Sequence, residues 1–247
     1  ISGDMSVGAL LDLGADRGKL NKAISSMKLD NEFRYEIKEV KVNTVKATDF
    51  NVIYDKSYEE QAVEHHQHHN HRNLEDVNKI IEKADITDNA KKLSKKIFRI
   101  VAEAEAEVHG KSVEEVHFHE VGAIDSIADI VSFSVLYDDL KPENVYINTL
   151  TEGKGSIKCA HGIMSVPVPA VCSIVSKYKL PIKITDNEGE MITPTGAAIM
   201  AALYTGEKLP EKIIIEKVGS GAGKRPYPNP VLRVIMFKTI FNNQNCT

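Results

Sequence analysis

A chain of 247 residues, 42% hydrophobic and 27% charged, is long enough to bury one large core or two smaller ones and has the makeup of a soluble globular protein. A formal net charge of −4 leaves no basic footprint for nucleic acid, and no apolar run approaches the length of a membrane span. The three cysteines, Cys159, Cys172 and Cys246, contain no Cys-x-x-Cys pair, which fits a reducing cytoplasm and excludes a disulfide framework or zinc knuckle.

Asp4 reads as the cap of a first helix, with Met5, Ala9, Leu10 and Leu13 on one face and Gly14 at its end. Asp16 reads as the cap of a second, with Leu20, Ala23, Ile24 and Met27 inside. Phe33, Tyr35 and Ile37 alternate with Arg34, Glu36 and Lys38, the period of a strand, and a second strand runs around Phe50, Val52 and Tyr54. Five histidines then fall within seven residues: His65, His66, His68, His69 and His71. Histidines this dense make neither a core nor a good helix or strand. They read as an exposed, flexible loop that captures divalent metal through neutral imidazole; the alternative is a solvated polar loop with no role.

Asn73-Leu-Glu-Asp76 is a helix start with an acidic third residue, and Leu74, Val77, Ile80, Ile81 and Ala84 follow at helical spacing. The clearest helix carries Leu93, Ile97, Ile100, Val101, Ala104 and Val108, and Gly110 ends it. Another runs from Ile124 to Leu140. Beyond 144 the texture changes. Val145, Ile147 and Leu150 predict a strand, and a Gly- and Pro-rich stretch covers 153–169. Short strands at 182–184, 213–218 and 231–237 alternate with helices at 170–177 and 194–203. The mixture predicts an α/β fold, a mixed sheet with helices packed on it and the His-rich loop inserted, and any subdivision falls near 140–144.

The strongest chemical cluster is Val116-His117-Phe118-His119-Glu120 with Asp125-Ser126-Ile127-Ala128-Asp129. In an extended segment His117 and His119 share a face, and on a helix Asp125 and Asp129 do too. Two like charges at that spacing cost a few tenths of a kcal/mol, which a bound cation would reverse. Together these residues offer the mixed nitrogen and oxygen donors that nickel, manganese or zinc accept; a polar loop followed by a capped helix explains them as well. His161 stands alone in a Gly-rich turn. Thr193-Pro194-Thr195-Gly196 reads as a capped helix start, which exposes N–H groups suited to a phosphate. Gly219-Ser220-Gly221-Ala222-Gly223-Lys224 fails as a P-loop, because Val218 and Arg225 stand where glycine and a hydroxyl are needed; it reads as a tight turn between strands.

Together and in this order, these segments resemble one family, the nickel-insertion proteins (LarC). The resemblance is carried by Ile1-Ser-Gly-Asp-Met5 with Gly8-Ala-Leu-Leu-Asp-Leu-Gly14, by His71-Arg-Asn-Leu-Glu-Asp76, and by Val116-His-Phe-His-Glu-Val-Gly-Ala-Ile-Asp-Ser126 with Asp129-Ile-Val131. It continues through Gly153-Lys-Gly155, Ala160-His-Gly-Ile-Met164, Val166-Pro-Val-Pro-Ala170, Thr193-Pro-Thr-Gly-Ala-Ala198, Gly221-Ala-Gly-Lys-Arg225 and Leu232-Arg-Val234.

The resemblance implies a nickel chelatase of the lyase class. Such a protein delivers Ni(2+) to the sulfur groups of pyridinium-3,5-bisthiocarboxylic acid mononucleotide in nickel-pincer cofactor biosynthesis. It also implies that residues 1–247 form an N-terminal domain, that a short strand precedes the Ser-Gly-Asp motif in relatives, and that CTP, with Mn(2+) or Mg(2+), is bound and hydrolysed by a C-terminal domain missing from this sequence. The expected partners are the pyridinium dithiocarboxylate mononucleotide, the apo lactate-racemase-type enzyme that receives the cofactor, and a second copy in a homo-oligomer; the expected location is the cytoplasm. Residue chemistry then divides the labour. His65, His66, His68, His69 and His71 capture metal. His117, His119, Glu120, Asp125, Asp129 and His161 hold it for transfer. Asp4, Thr193, Thr195 and Gly196 contact the cofactor. No residue is assigned a catalytic role. A non-enzymatic nickel store or metallochaperone, and a metal-dependent hydrolase using Glu120 as base, are the other readings.

Overall fold

A computed structural model describes residues 1–54, 72–116, 124–159, 162–225, 227 and 230–240. The histidine run at 65–71, His117, His119, Glu120, His161 and Cys246 lie outside the described residues.

Helix α1 (Gly3–Leu13) begins one residue earlier than its predicted cap. Ser2 holds the N-cap position, and Asp4 sits inside the first turn. The carboxylate still serves the helix end, accepting from Ser2 Oγ and, at 2.8 Å, from Met5 N–H, where the helix dipole favours a negative charge. Gly14 closes α1 at φ 106°, a left-handed conformation that a side chain resists. Asp16 caps α2 (Arg17–Ser26) through the N–H groups of Gly18 and Lys19, as its position predicts. β1 (Phe33–Val42) and β2 (Val45–Tyr54) form an antiparallel hairpin with Tyr35 opposite Val52 and Ile37 opposite Phe50.

α3 (Leu74–Lys83) opens on a capping box between Asn73 and Asp76. α4 (Asp88–His109) is capped by Thr87 and ends at Gly110; its predicted stripe is buried from Ile97 to Ala104, Leu93 is half-buried, and Val108 reaches solvent at the last turn. α5 (Ile124–Leu140) has the predicted bounds, with Ile124, Ile127, Ile130 and Val131 buried. The strand expected at 145–150 does not form. Residues 141–149 carry no regular structure; Tyr146 instead packs on Phe237, and β3 (Leu150–Lys154) starts where the Leu150 N–H meets the Pro181 carbonyl.

The Gly- and Pro-rich stretch contains a hairpin of β4 (Ser156–Cys159) and β5 (Gly162–Ser165), too short for alternation to show in the sequence. α6 (Pro169–Tyr178), β6 (Ile182–Glu188), α7 (Pro194–Leu203), β7 (Ile213–Ala222) and β8 (Val231–Thr239) lie where predicted. The main sheet has the order β1-β2-β7-β8, parallel between β2 and β7 and antiparallel elsewhere; β3 and β6 form a separate parallel pair. This is the expected α/β architecture with a mixed sheet.

A contiguous apolar core includes Val7 and Leu10 of α1, Phe50 of β2, Ile97 and Phe98 of α4, Ile127 and Leu136 of α5, Ile174 of α6 and Ile199 of α7. α1 lies on β2, β7 and β8 and touches α5, so its N-terminus is carried to the start of α5. No described helix is long and apolar enough to cross a membrane.

Candidate functional site

Glycines set how closely α1 approaches the sheet. A Cβ at Gly221 would stand 1.9 Å from the Met5 carbonyl oxygen, one at Gly219 would stand 2.2 Å from that of Ala9, and one at Gly8 of α1 would stand 2.3 Å from the Thr48 carbonyl oxygen. All three places are filled by backbone. The segment expected to be a tight turn is therefore the last part of β7, and its glycines admit a helix instead of a ligand.

That docking seats the first turn of α1 on Asp129. A Cβ at Gly3 would fall 2.4 Å from Asp129 Oδ2, so glycine is what lets the backbone of α1 meet the Asp129 side chain. Asp129 is half-buried; its carboxyl accepts the backbone N–H of Asp4, and its Oδ1 is buried with no partner. Burial first, then the charges of Asp4 and Asp125, push its pKa well above the carboxylate range, and Lys224 opposes them. Asp125, in the first turn of α5, accepts its neighbour's N–H, Ser126 N to Oδ1, at 2.8 Å. Lys224, just past β7, places Nζ 3.1 Å from Asp4 Oδ2. Asp49 of β2 belongs to the same neighbourhood: burial raises its pKa, Lys224 lowers it, Asp4 raises it, and its Oδ1 is also buried without a partner.

A second buried carboxylate organises the facing loop. Glu152 of β3 has no exposed surface, and its Oε1 accepts from the N–H groups of Gly153 (2.8 Å), Met191 (2.6 Å) and Ile192 (3.2 Å). These bonds fix residues 190–193. Glu190 then pairs with Arg225 at 2.6 Å, and its carbonyl accepts from Arg225 Nη1 at 2.7 Å and from the Tyr227 hydroxyl. Thr193 caps α7 through Gly196 N–H at 3.1 Å, and the Thr193 N–H donates to the Ile1 carbonyl at 3.0 Å. The place of a Cβ on Gly196 is filled by that same carbonyl, 2.4 Å away.

An open cleft of ≈1890 Å³ joins these parts, bordered by Asp4, Asp125, Asp129, Thr193, Thr195 and Lys224 among others. Small-molecule sites usually fill about 300–1,000 Å³, so a mononucleotide fits. Asp4, Asp125 and Asp129 make one part of its border acidic, with Lys224 beside them and the half-exposed Arg225 paired with Glu190.

Of the residues expected to hold metal, Asp125 and Asp129 are described, and both border the cleft beside Asp4. Among the described residues, no three His, Cys, Asp or Glu converge tightly enough to hold a metal ion by themselves. Of the expected cofactor contacts, Asp4, Thr193 and Thr195 border the cleft, and Gly196 lies behind them against Ile1. The sequence reading gave no role to Lys224, Arg225, Glu190 or Glu152. The basic pair following a Gly-rich strand was the available signal for the first two.

A family model described as nickel insertion protein matches residues 1–247. A protein from Alkaliphilus metalliredigens named pyridinium-3,5-bisthiocarboxylic acid mononucleotide nickel insertion protein is 46% identical over 235 residues, covering 92% of this chain and 56% of its own. A protein of the same name from Acetivibrio thermocellus is 45% identical over 224 residues, 91% of this chain and 54% of its own. Another from Akkermansia muciniphila is 38% identical over 243 residues, 97% and 58%. The chain thus spans little more than half the length of these relatives. No solved structure matches it. With a family model matched from its first residue to its last, the chain belongs to the nickel insertion protein family.

Proposed function

We propose that this chain takes part in inserting Ni(2+) into pyridinium-3,5-bisthiocarboxylic acid mononucleotide, the substrate in its relatives' names, and that the acidic end of the cleft holds the ion before transfer. The observation that carries the reading is Asp129: a half-buried carboxyl with one buried, unpartnered oxygen, beside Asp4 and Asp125, at the wall of a cleft large enough for the mononucleotide. A buried carboxylate oxygen left unpartnered is costly; protonation removes the cost, and so does a divalent cation.

His117, His119, Glu120 and His161 are proposed as further ligands with Asp125 and Asp129, and His65, His66, His68, His69 and His71 as the capture segment. Oxygen and imidazole bind nickel more weakly than thiolate-like sulfur does, so the ion passes to the two sulfur groups of the substrate by ligand exchange. Nickel stays divalent throughout; carboxylate and imidazole donors are released as nickel–sulfur bonds form. Asp4, Thr193, Thr195 and Gly196 mark the side where the mononucleotide lies, Thr195 from a helix start that favours phosphate.

In this reading residues 1–247 act as an N-terminal domain in the cytoplasm. CTP hydrolysis with Mn(2+) or Mg(2+) belongs to a further domain, the protein works as a homo-oligomer, and an apo lactate-racemase-type enzyme takes the product.

The test mixes the chain with nickel and the dithiolated mononucleotide, with and without CTP and the remaining part of a relative, and follows nickel–sulfur absorbance. Asp125→Ala is expected to abolish loading with the fold retained by circular dichroism. Loading at the parent rate in that variant removes Asp125 from the site.

A further inference from the structure

We propose that Lys224 is a displaceable internal cation: it occupies the acidic end of the cleft in the metal-free protein, is driven out by the arriving divalent ion, and then binds an anionic group of the mononucleotide. The inference rests on the reading of that end as the nickel site.

Four observations support it. The first is charge. Asp4 and Asp125 act on Asp129, Asp4 acts on Asp49, and Lys224 touches Asp4 and acts on both Asp49 and Asp129. The second is an incomplete match. The ammonium contacts Asp4, while Asp129 Oδ1 and Asp49 Oδ1 stay buried without partners, so a single charge tethered from one side leaves the pocket under-neutralised. An ion with twice the charge, free to move to the centre, competes favourably for the same carboxylates.

The third is mechanical. The root of Lys224 is fixed: the Gly223 N–H bonds to the Pro230 carbonyl at 2.6 Å, and Arg225 is clamped to Glu190. The side chain above that root is 46% exposed, so its four-carbon stem can swing while the backbone stays. The fourth is placement. Lys224 borders the same cleft as Thr195 and Thr193, and an ammonium with three rotatable donors suits a phosphate or carboxylate arriving there.

The consequence is coupling. While Lys224 neutralises Asp4, it weakens metal binding and is unavailable to the mononucleotide. Metal binding frees it, so each ligand strengthens the other by the same factor.

The test uses the full chain with His65, His66, His68, His69 and His71 replaced by alanine, so that calorimetry with nickel alone reads the cleft. Lys224→Met is expected to bind nickel about five- to tenfold tighter, the scale of a partly exposed ion pair at this distance. Lys224→Arg keeps the charge and is expected to return affinity toward the parent value. Nicotinic acid mononucleotide, which lacks the sulfur groups, is the second probe. Nickel is expected to tighten its binding severalfold in the parent and not in Lys224→Met. Asp129→Asn separates the two claims. If it leaves nickel affinity unchanged, the site reading fails. If it weakens nickel while Lys224→Met neither tightens nickel nor removes the enhancement by nickel, the site stands and the role of Lys224 is overturned.

Discussion

Gly221→Ala tests whether the contact between α1 and β7 builds the site. The added methyl would lie 1.9 Å from the Met5 carbonyl oxygen and 2.7 Å from the Ala9 nitrogen. Ordinary non-bonded contacts begin near 3.5 Å, so the helix must retreat by about 1.5 Å. The obstacle is backbone, which cannot rotate aside. Retreat also loosens Val7 and Leu10, which α1 contributes to the core. Overpacking a tight contact costs about 1–3 kcal/mol, and the upper end applies when no side chain can yield. For a chain of this size each kcal/mol lowers the melting temperature by roughly 2–4 °C, which gives a drop of about 6–12 °C by circular dichroism. Asp4 moves with α1, so nickel affinity read in the background lacking the five histidines is expected to fall as well. Gly206→Ala is the comparison: open space surrounds it, and only its φ of 76° resists a side chain, worth about 1–2 kcal/mol. A Gly221→Ala protein that melts within 2 °C of the parent, roughly the noise of such a comparison, would refute the close-approach argument.

Glu152→Ala leaves three backbone donors without their acceptor, at about 1–3 kcal/mol each when buried, and is expected to cost at least about 3 kcal/mol in urea unfolding. Glu152→Gln keeps an acceptor oxygen and should recover most of that; equal losses would show that the hydrogen bonds to residues 191 and 192 do not hold the loop. Asp139 accepts from Lys19 Nζ at 2.5 Å and from Asp16 N–H at 2.7 Å, and the Lys19 hydrogen bond holds its pKa below the ordinary 3.8. A lowered carboxylate pKa stabilises fully above that ordinary value, and the benefit is lost as pH falls through the folded pKa. Asp139→Asn is therefore expected to lower stability at neutral pH and to converge with the parent in acid; curves that stay parallel contradict the pairing. Deleting residues 65–71 is expected to slow loading at limiting nickel and to spare it at saturating nickel. Loss at every concentration would favour the storage reading.

Local signals were legible where the responsible physics is local. The cap at Asp16, the box at Asn73 and Asp76, and the helix start at Thr193-Pro194 each satisfy orphan N–H groups with residues two or three positions away, so sequence spacing displays them. The long stripe from Ile97 to Ala104 is visible for a similar reason: one helix face meets one core. The failures were of a different kind. Val145, Ile147 and Leu150 supply strand-forming residues, but β pairing needs a partner, and β6 reaches only Leu150. Gly219 and Gly221 read as a turn because glycine permits one. What decides between a turn and a crowded strand is the helix pressed against it, more than 200 residues earlier in the chain.

The same limit explains the site. Asp125 and Asp129 could be paired by their spacing, but nothing near them in sequence indicates Asp4, Asp49 or Lys224. These are assembled by two strands and a helix end that meet only because glycines thin the contact between α1, β2 and β7. The sequence places Asp4 with the cofactor contacts. The fold gives it a second neighbour, donating its N–H to Asp129 while its carboxylate holds Lys224, so one residue joins the proposed metal site to the lysine proposed to meet the mononucleotide. A change at Asp4 should therefore disturb metal and mononucleotide binding together, whereas a change at Asp125 should reach the metal first. That difference between two aspartates is set by the packing of α1, not by the chemistry of the carboxylate.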